Sequence, residues 1–130
     1  MSAAPEPSAQ RNGETEGLAR RIATVADAKG GSDLIALDVR ELVGYTDFLV
    51  ICTARNERQA DAIQDDVRQK LKGEGLLPGR VEGVDEAQWV VLDYLDTVLH
   101  VFTQEARERY RLENLWGEAP KLDFRVRDAS

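Results

Sequence analysis

Two apolar runs set three residues apart constrain this chain more than any other feature of its sequence. Trp89–Asp93 and Thr97–Thr103 have the length and the Val and Leu content of strands, and only Tyr94, Leu95 and Asp96 separate them. A parallel pair needs a crossover of about a dozen residues or more, so these two runs must form an antiparallel hairpin. On an alternating strand Trp89, Val91 and Asp93 share one face, and Val90, Leu92 and Tyr94 share the other.

The remaining elements assemble around that hairpin. Residues 33–40 (DLIALDVR) and 48–53 (FLVICT) read as buried strands, and the connection between them is short enough to let them pair. Ahead of them Leu18, Ile22, Val25 and Ala26 recur at helical spacing until Gly30-Gly31 stops the helix. Asn56 followed by Gln59 predicts a capping box, and Ala60, Ile63, Val67 and Leu71 make the apolar stripe of a helix that ends at Gly73. Residues 80–84 predict a short edge strand. Residues 104–116 predict a last helix that packs through Ala106, Tyr110, Leu112, Leu115 and Trp116. The order α-β-β-α-β-β-β-α implies an α/β fold with a mixed sheet of about five strands flanked by helices. A chain of 130 residues suits one domain. Its composition predicts a disordered N-terminal tail over 1–15, a single domain over 16–118 and a loosely ordered C-terminal tail over 119–130.

Charge narrows the function classes. The chain carries 17 Lys plus Arg against 24 Asp plus Glu, a net −7. That acidity argues against nucleic-acid binding through its own surface, because phosphate contacts need clustered cations. It favours a basic protein partner instead. No apolar run exceeds about five residues, against roughly 20 needed to span a bilayer, so no membrane partner is expected. The N-terminus has neither a signal-peptide nor a transit-peptide pattern, and the cytoplasm is the expected location. One cysteine excludes an internal disulfide, and one cysteine with one histidine is too few soft ligands for zinc.

The residues offer little for catalysis or cofactor binding. Neither GxxxxGK[ST] nor GxGxxG occurs, so no nucleotide phosphate cradle is readable and no cofactor is expected. Cys52 and His100 both sit inside strand runs, where a small core residue and a satisfied sheet histidine are expected rather than a thiolate–imidazole pair. This strand order also suits a nucleotidyltransferase, whose Gly-Ser turn precedes a strand bearing Asp-x-Asp for magnesium. Here Gly31-Ser32 precedes Asp38-Val39-Arg40, and the arginine repels the metal that a second carboxylate would hold. No catalytic or metal-ligating residue is assigned.

The stretch 82–96 stands apart. It holds Glu82, Asp85, Glu86, Asp93 and Asp96 with no lysine or arginine, together with Trp89 and Tyr94. Either Trp89 packs beneath a helix and the acids are a solvated loop, or the stretch is an acidic, aromatic surface for docking a basic protein. Arg107, Arg109 and Arg111 pose a similar choice between a solvated helix face and a contact with RNA.

Five blocks in register resemble one family: DLIALDV at 33–39, TDFLVIC at 46–52, GLLP at 75–78 with VEG at 81–83, WVVLDY at 89–94 with Asp96, and Val101-Phe102 followed by Tyr110, Leu112-Glu113 and Leu115-Trp116. The sequence is similar over roughly 18–118 to the ribosomal silencing factors, also called Iojap-like proteins. The resemblance implies a nucleotidyltransferase-like fold without the catalytic carboxylates, and a translation repressor rather than an enzyme. Its implied partner is large-subunit ribosomal protein number fourteen, on the face of the large ribosomal subunit that meets the small one. Occupying that face blocks subunit joining when nutrients fall short. The same resemblance assigns Trp89, Asp93, Tyr94 and Asp96 to the contact surface and allows a homodimer. An adaptor for large-subunit assembly is the alternative, and a nucleotide-binding or nucleotidyltransferase-type enzyme the more distant one. Two departures stand out: Leu95 replaces a usual glycine, which predicts a different turn shape, and ARNER at 54–58 replaces a Ser-rich helix entry.

Overall fold

Strand β2 (Phe48–Ala54) is buried along its whole length, because helices cover one face of it and further apolar side chains the other. The computed structural model describes residues 7–42, 46–111, 114 and 119–122, with side chains in the first helix from residue 16. Around β2 lie α1 (Pro7–Ala28), β1 (Ser32–Asp38), α2 (Glu57–Gly73), β3 (Arg80–Glu82), β4 (Trp89–Asp93), β5 (Thr97–Thr103) and α3 (Gln104–Tyr110). The five strands form one mixed sheet in the order β1-β2-β5-β4-β3. β2 and β5 run parallel in seven-residue register, from Phe48↔Thr97 to Ala54↔Thr103, and the other pairs are antiparallel. The α2-β3-β4 segment supplies the crossover that this parallel pair requires.

The two faces of the sheet differ in what covers them. Ile22 and Ala26 of α1 and Ile63, Val67 and Leu71 of α2 pack on Phe48, Val50, Val90, Leu92, Leu99 and Val101. On the opposite face Leu37, Leu49, Ile51, Val98 and Phe102 cluster with Ala106 of α3 and Ala119, and Trp89 and Val91 are half-buried at the margin.

The entry to α2 is a variant of the predicted box. Asn56 Oδ1 accepts from the Gln59 N–H at 2.9 Å, but Gln59 Oε1 reaches back to the N–H of Arg55 at 2.8 Å, one residue before the cap. Gln59 Nε2 also donates to the Lys29 carbonyl at 3.3 Å, tying this turn to the end of α1. The ARNER segment therefore caps the helix without the serines of a usual entry.

Three segments differ from their sequence-based reading. α1 begins at Pro7, inside the stretch whose composition suggests a tail. α3 stops at Tyr110 rather than near residue 116, because Arg111 turns left-handed (φ 46°, ψ 52°) and its N–H closes on the Arg107 carbonyl at 2.9 Å. Leu112, Glu113, Leu115 and Trp116 lie outside the described residues. Residues 119–122 are not loose: the Asp38 N–H donates to the Pro120 carbonyl at 2.8 Å, the Leu122 N–H donates to the Ala36 carbonyl at 2.9 Å, and Lys121 bridges to Leu37. They lie along the outer edge of β1.

The β4–β5 turn keeps a positive φ without glycine. Leu95 adopts φ 76°, held by its N–H donating to Asp93 Oδ1 at 2.8 Å. Leu95 thus takes the positive φ that a glycine would permit, and the Asp93 carboxylate holds the backbone there. Gly83 is different in kind: at φ 82°, an added Cβ would stand 2.0 Å from the Trp89 carbonyl oxygen. Leu95→Gly should therefore raise unfolding free energy by roughly 0.5–1 kcal/mol in urea titrations, since an exposed leucine there carries left-handed strain. Gly83→Ala should lower it by more than about 2 kcal/mol through strain and collision together. A Leu95→Gly variant less stable than its parent would contradict the strain assigned to this turn.

Candidate functional site: an aromatic and acidic face on the hairpin

The antiparallel register sets Trp89 opposite Phe102 and Val91 opposite His100, so Trp89 and His100 are diagonal neighbours on one face. The Trp89 ring lies 4.9 Å from the Phe102 ring and 4.8 Å from that of Tyr110, centroid to centroid. Its Nε1 donates to His100 Nδ1 at 3.0 Å. Phe102 is fully buried beneath this group, whereas Tyr110 at the end of α3 is 49% exposed. Trp89 is thus neither a core residue nor a free anchor. One side of its ring rests on the sheet, and the cluster is open at Tyr110.

Acidic groups flank the aromatic ones. Asp93 follows Trp89 and Val91 on the same face, and its carboxylate meets Arg80 Nη2 at 3.8 Å as well as the Leu95 N–H. Asp96 is half-buried in the turn, and its carbonyl accepts from Asp47 and Phe48 at 3.0 and 3.1 Å, which ties the hairpin tip to the start of β2. Tyr94 departs from the contact role suggested for it. Strand alternation turns it to the helix-covered face, where it is 8% exposed and joins the larger core cluster. Burial pushes its phenol above the ordinary range, opposed by Arg68. Tyr94 supports the hairpin from beneath, while Trp89, Asp93 and Asp96 remain at or near the surface.

Cys52 and His100 lie on opposite faces, because Cys52 packs among the residues under the helices while His100 contacts Trp89. Burial pushes the Cys52 thiol up to about 12, partly opposed by Arg107, so it is protonated at neutral pH. Burial also pushes His100 down to about 4, against the pull of Asp93, so it is neutral there. Asp38 is engaged by its neighbour: Arg40 Nε donates to Oδ1 at 2.8 Å, and Arg40 Nη2 pairs with Oδ2. That bidentate contact holds the carboxyl below its usual range despite partial burial. The arginine thereby occupies both oxygens of the Asp38 carboxylate. Among the described residues no group of three or more His, Cys, Asp or Glu is placed to hold a metal ion, and no helix is long and apolar enough to cross a membrane.

Arg107 and Arg109 of α3 and Arg111 at its end do not form one surface. Arg107 is 8% exposed, and its Nη1 donates to the Asp33 carbonyl and to Thr53 Oγ1, both at 2.8 Å. Arg109 pairs with Glu105, and Arg111 forms the helix stop and donates from Nε to the Glu108 carbonyl. Arg107 therefore joins α3 to β1 and β2 rather than facing outward. The part played by Tyr110 was not legible locally: it stands in sequence beyond β5, and only the turn from β5 into α3 returns it to Trp89.

Residues 12–130 match the family described as ribosomal silencing factor during starvation. The chain belongs to this family. It is 37% identical over 102 residues to the ribosomal silencing factor of Bacillus subtilis, covering 78% of this chain and 86% of that protein. It is also 32% identical over 123 residues to the chloroplastic protein Iojap of Zea mays, covering 92% of this chain and 53% of that one. Two solved structures share the fold of this silencing factor. A Bacillus halodurans crystal structure has a TM-score of 0.72 at 32% identity, covering 85% of this chain and 97% of that one. An X-ray structure of a Chromobacterium violaceum protein has a TM-score of 0.77 at 29% identity, covering 85% and 92% respectively.

The half-buried neutral histidine links stability to pH. His100 titrates near 4 in the folded chain and near 6.5 when unfolded, so between those values only the unfolded state binds the proton. Unfolding free energy should therefore fall as pH drops from 6.5 towards 4, by at most about 1.4 kcal/mol per pH unit from this group. Urea unfolding at pH 7, 6 and 5 should show a shallower slope for His100→Gln than for wild type. Parallel slopes would show that His100 does not contribute.

Proposed function

We propose that this silencing factor represses translation without catalysis, by docking on large-subunit ribosomal protein number fourteen at the intersubunit face and blocking the joining of the two subunits. Membership of the ribosomal silencing factor family is the observation that carries this reading. Physical chemistry supports it from several sides. A net charge of −7 favours a basic ribosomal protein over ribosomal RNA. Trp89 and Tyr110 offer the aromatic types that dominate binding hot spots, with Asp93 and Asp96 beside them to complement a basic partner. The Arg40 guanidinium on Asp38 speaks against metal-dependent nucleotidyl transfer. The docking surface of this proposal comprises Trp89, Asp93 and Asp96, with Tyr94 as its buried support, and the place of action is the cytoplasm.

Sedimentation of mixed ribosomal subunits tests the proposal. Increasing amounts of the purified protein should shift joined ribosomes to free subunits, and unchanged joining at saturating protein would sink it. Trp89→Ala should weaken binding to large subunits by roughly 2 kcal/mol, about thirtyfold. Asp93→Lys or Asp96→Lys should slow association, and the effect should shrink as salt screens the field. Thermal melts of each variant separate lost binding from lost stability, since Trp89 also packs on Phe102. A well-folded Trp89→Ala, Asp96→Lys double variant that binds like wild type would remove this surface from the proposal.

A further inference from the structure

The Trp89 indole carries one polar atom, and its partner is a histidine acceptor, His100 Nδ1 at 3.0 Å. Ring contacts with Phe102 and Tyr110 restrain the tilt of the indole. They do not by themselves select between its flipped orientations, because stacking tolerates either edge. A directional N–H to nitrogen bond does select one. The acceptor is itself held in place. The His100 ring is nearly parallel to that of Phe102, 13° between planes at 6.2 Å, and Phe102 is fully buried. An imidazolium would carry protons on both nitrogens and have no acceptor to offer, so the contact requires the neutral ring. Burial of His100 maintains that form against the pull of Asp93 on the adjacent strand. With Nδ1 accepting, the ring proton resides on Nε2.

We propose that His100 is a positioning residue whose Nδ1 fixes the Trp89 indole in one rotamer and so presents the docking surface pre-organised to its partner. The inference rests on the docking role proposed for Trp89. Its physical consequence is that the indole needs no ordering on binding, which removes one cost of association.

Hydrogen exchange of the Trp89 indole N–H by nitrogen-15 NMR, run beside binding to purified large subunits, tests it. The indole signal is assigned by its absence in Trp89→Phe. His100→Leu removes the acceptor, while His100→Asn returns an oxygen at the same number of bonds from Cβ as Nδ1. In His100→Leu, cooperative unfolding should be retained, indole exchange should accelerate at least about tenfold and subunit binding should weaken about tenfold. His100→Asn should restore both to near wild type. Unchanged indole protection in His100→Leu would overturn the proposal. So would lost protection with unchanged binding, or failure of His100→Asn to restore protection and affinity together. Should His100→Leu not fold, His100→Phe, a flat ring without an acceptor, takes its place under the same criteria. If the wild-type protein itself fails to bind large subunits, the docking role falls, while the exchange comparison still decides whether His100 fixes the indole.

Discussion

The parallel pairing of β2 with β5 is the constraint on which the rest of the molecule depends. Seven consecutive residue pairs join the two strands at the centre of the sheet. A parallel pair cannot be closed by a turn, so α2, β3 and β4 must intervene between the strands, and α2 crosses the face where α1 already lies. β4 then returns antiparallel on the free side of β5 and brings Trp89 over Phe102. The aromatic face is therefore a product of topology. Its residues come from β4, β5 and α3, and the order of strands is what makes them neighbours.

Much of this was legible in the sequence, for physical reasons. Tyr94-Leu95-Asp96 is too short for anything but a hairpin, and the hairpin is found. Ala60, Ile63, Val67 and Leu71 are all buried, because their spacing places them on one side of α2. Alternation sets Trp89 and Tyr94 on opposite faces, and it buries Tyr94 although the family resemblance implied a contact role for it. What was not legible depends on tertiary contact. Nothing in the local pattern distinguishes Arg107, which fills a position between Asp33 and Thr53, from Arg109, which pairs with Glu105 on the helix surface. The charged and Pro-bearing composition of 119–122 resembles a solvated tail, yet backbone hydrogen bonds to β1, which composition does not encode, hold it. Leu95 shows the converse. Sequence rules reserve its conformation for glycine, but an aspartate two residues earlier holds the backbone in it.

Electrostatics divides the chain into an inert part and an exposed one. The two groups most suggestive of chemistry, Cys52 and His100, are a buried protonated thiol and a half-buried neutral imidazole already used as an acceptor. Asp38 is ionised but paired with Arg40. By contrast, Glu82, Asp85 and Glu86 project into solvent around the hairpin base. Exposed acids of this kind suit long-range attraction of a basic body.

The strip of chain along β1 has a consequence for assembly. An open strand edge invites another chain to extend the sheet, with backbone hydrogen bonds as the adhesive. Here Pro120 and Leu122 already occupy the partners that Asp38 and Ala36 would offer, so an incoming strand must first displace residues 119–122. At the far edge β3 is only three residues long and carries Arg80 and Glu82 exposed on either side of Val81. The 36–38 part of one margin is thereby occupied, and the other margin is short and charged. Lengthening the sheet past Ala36–Asp38 therefore carries the cost of peeling away a strip that the chain has already laid there.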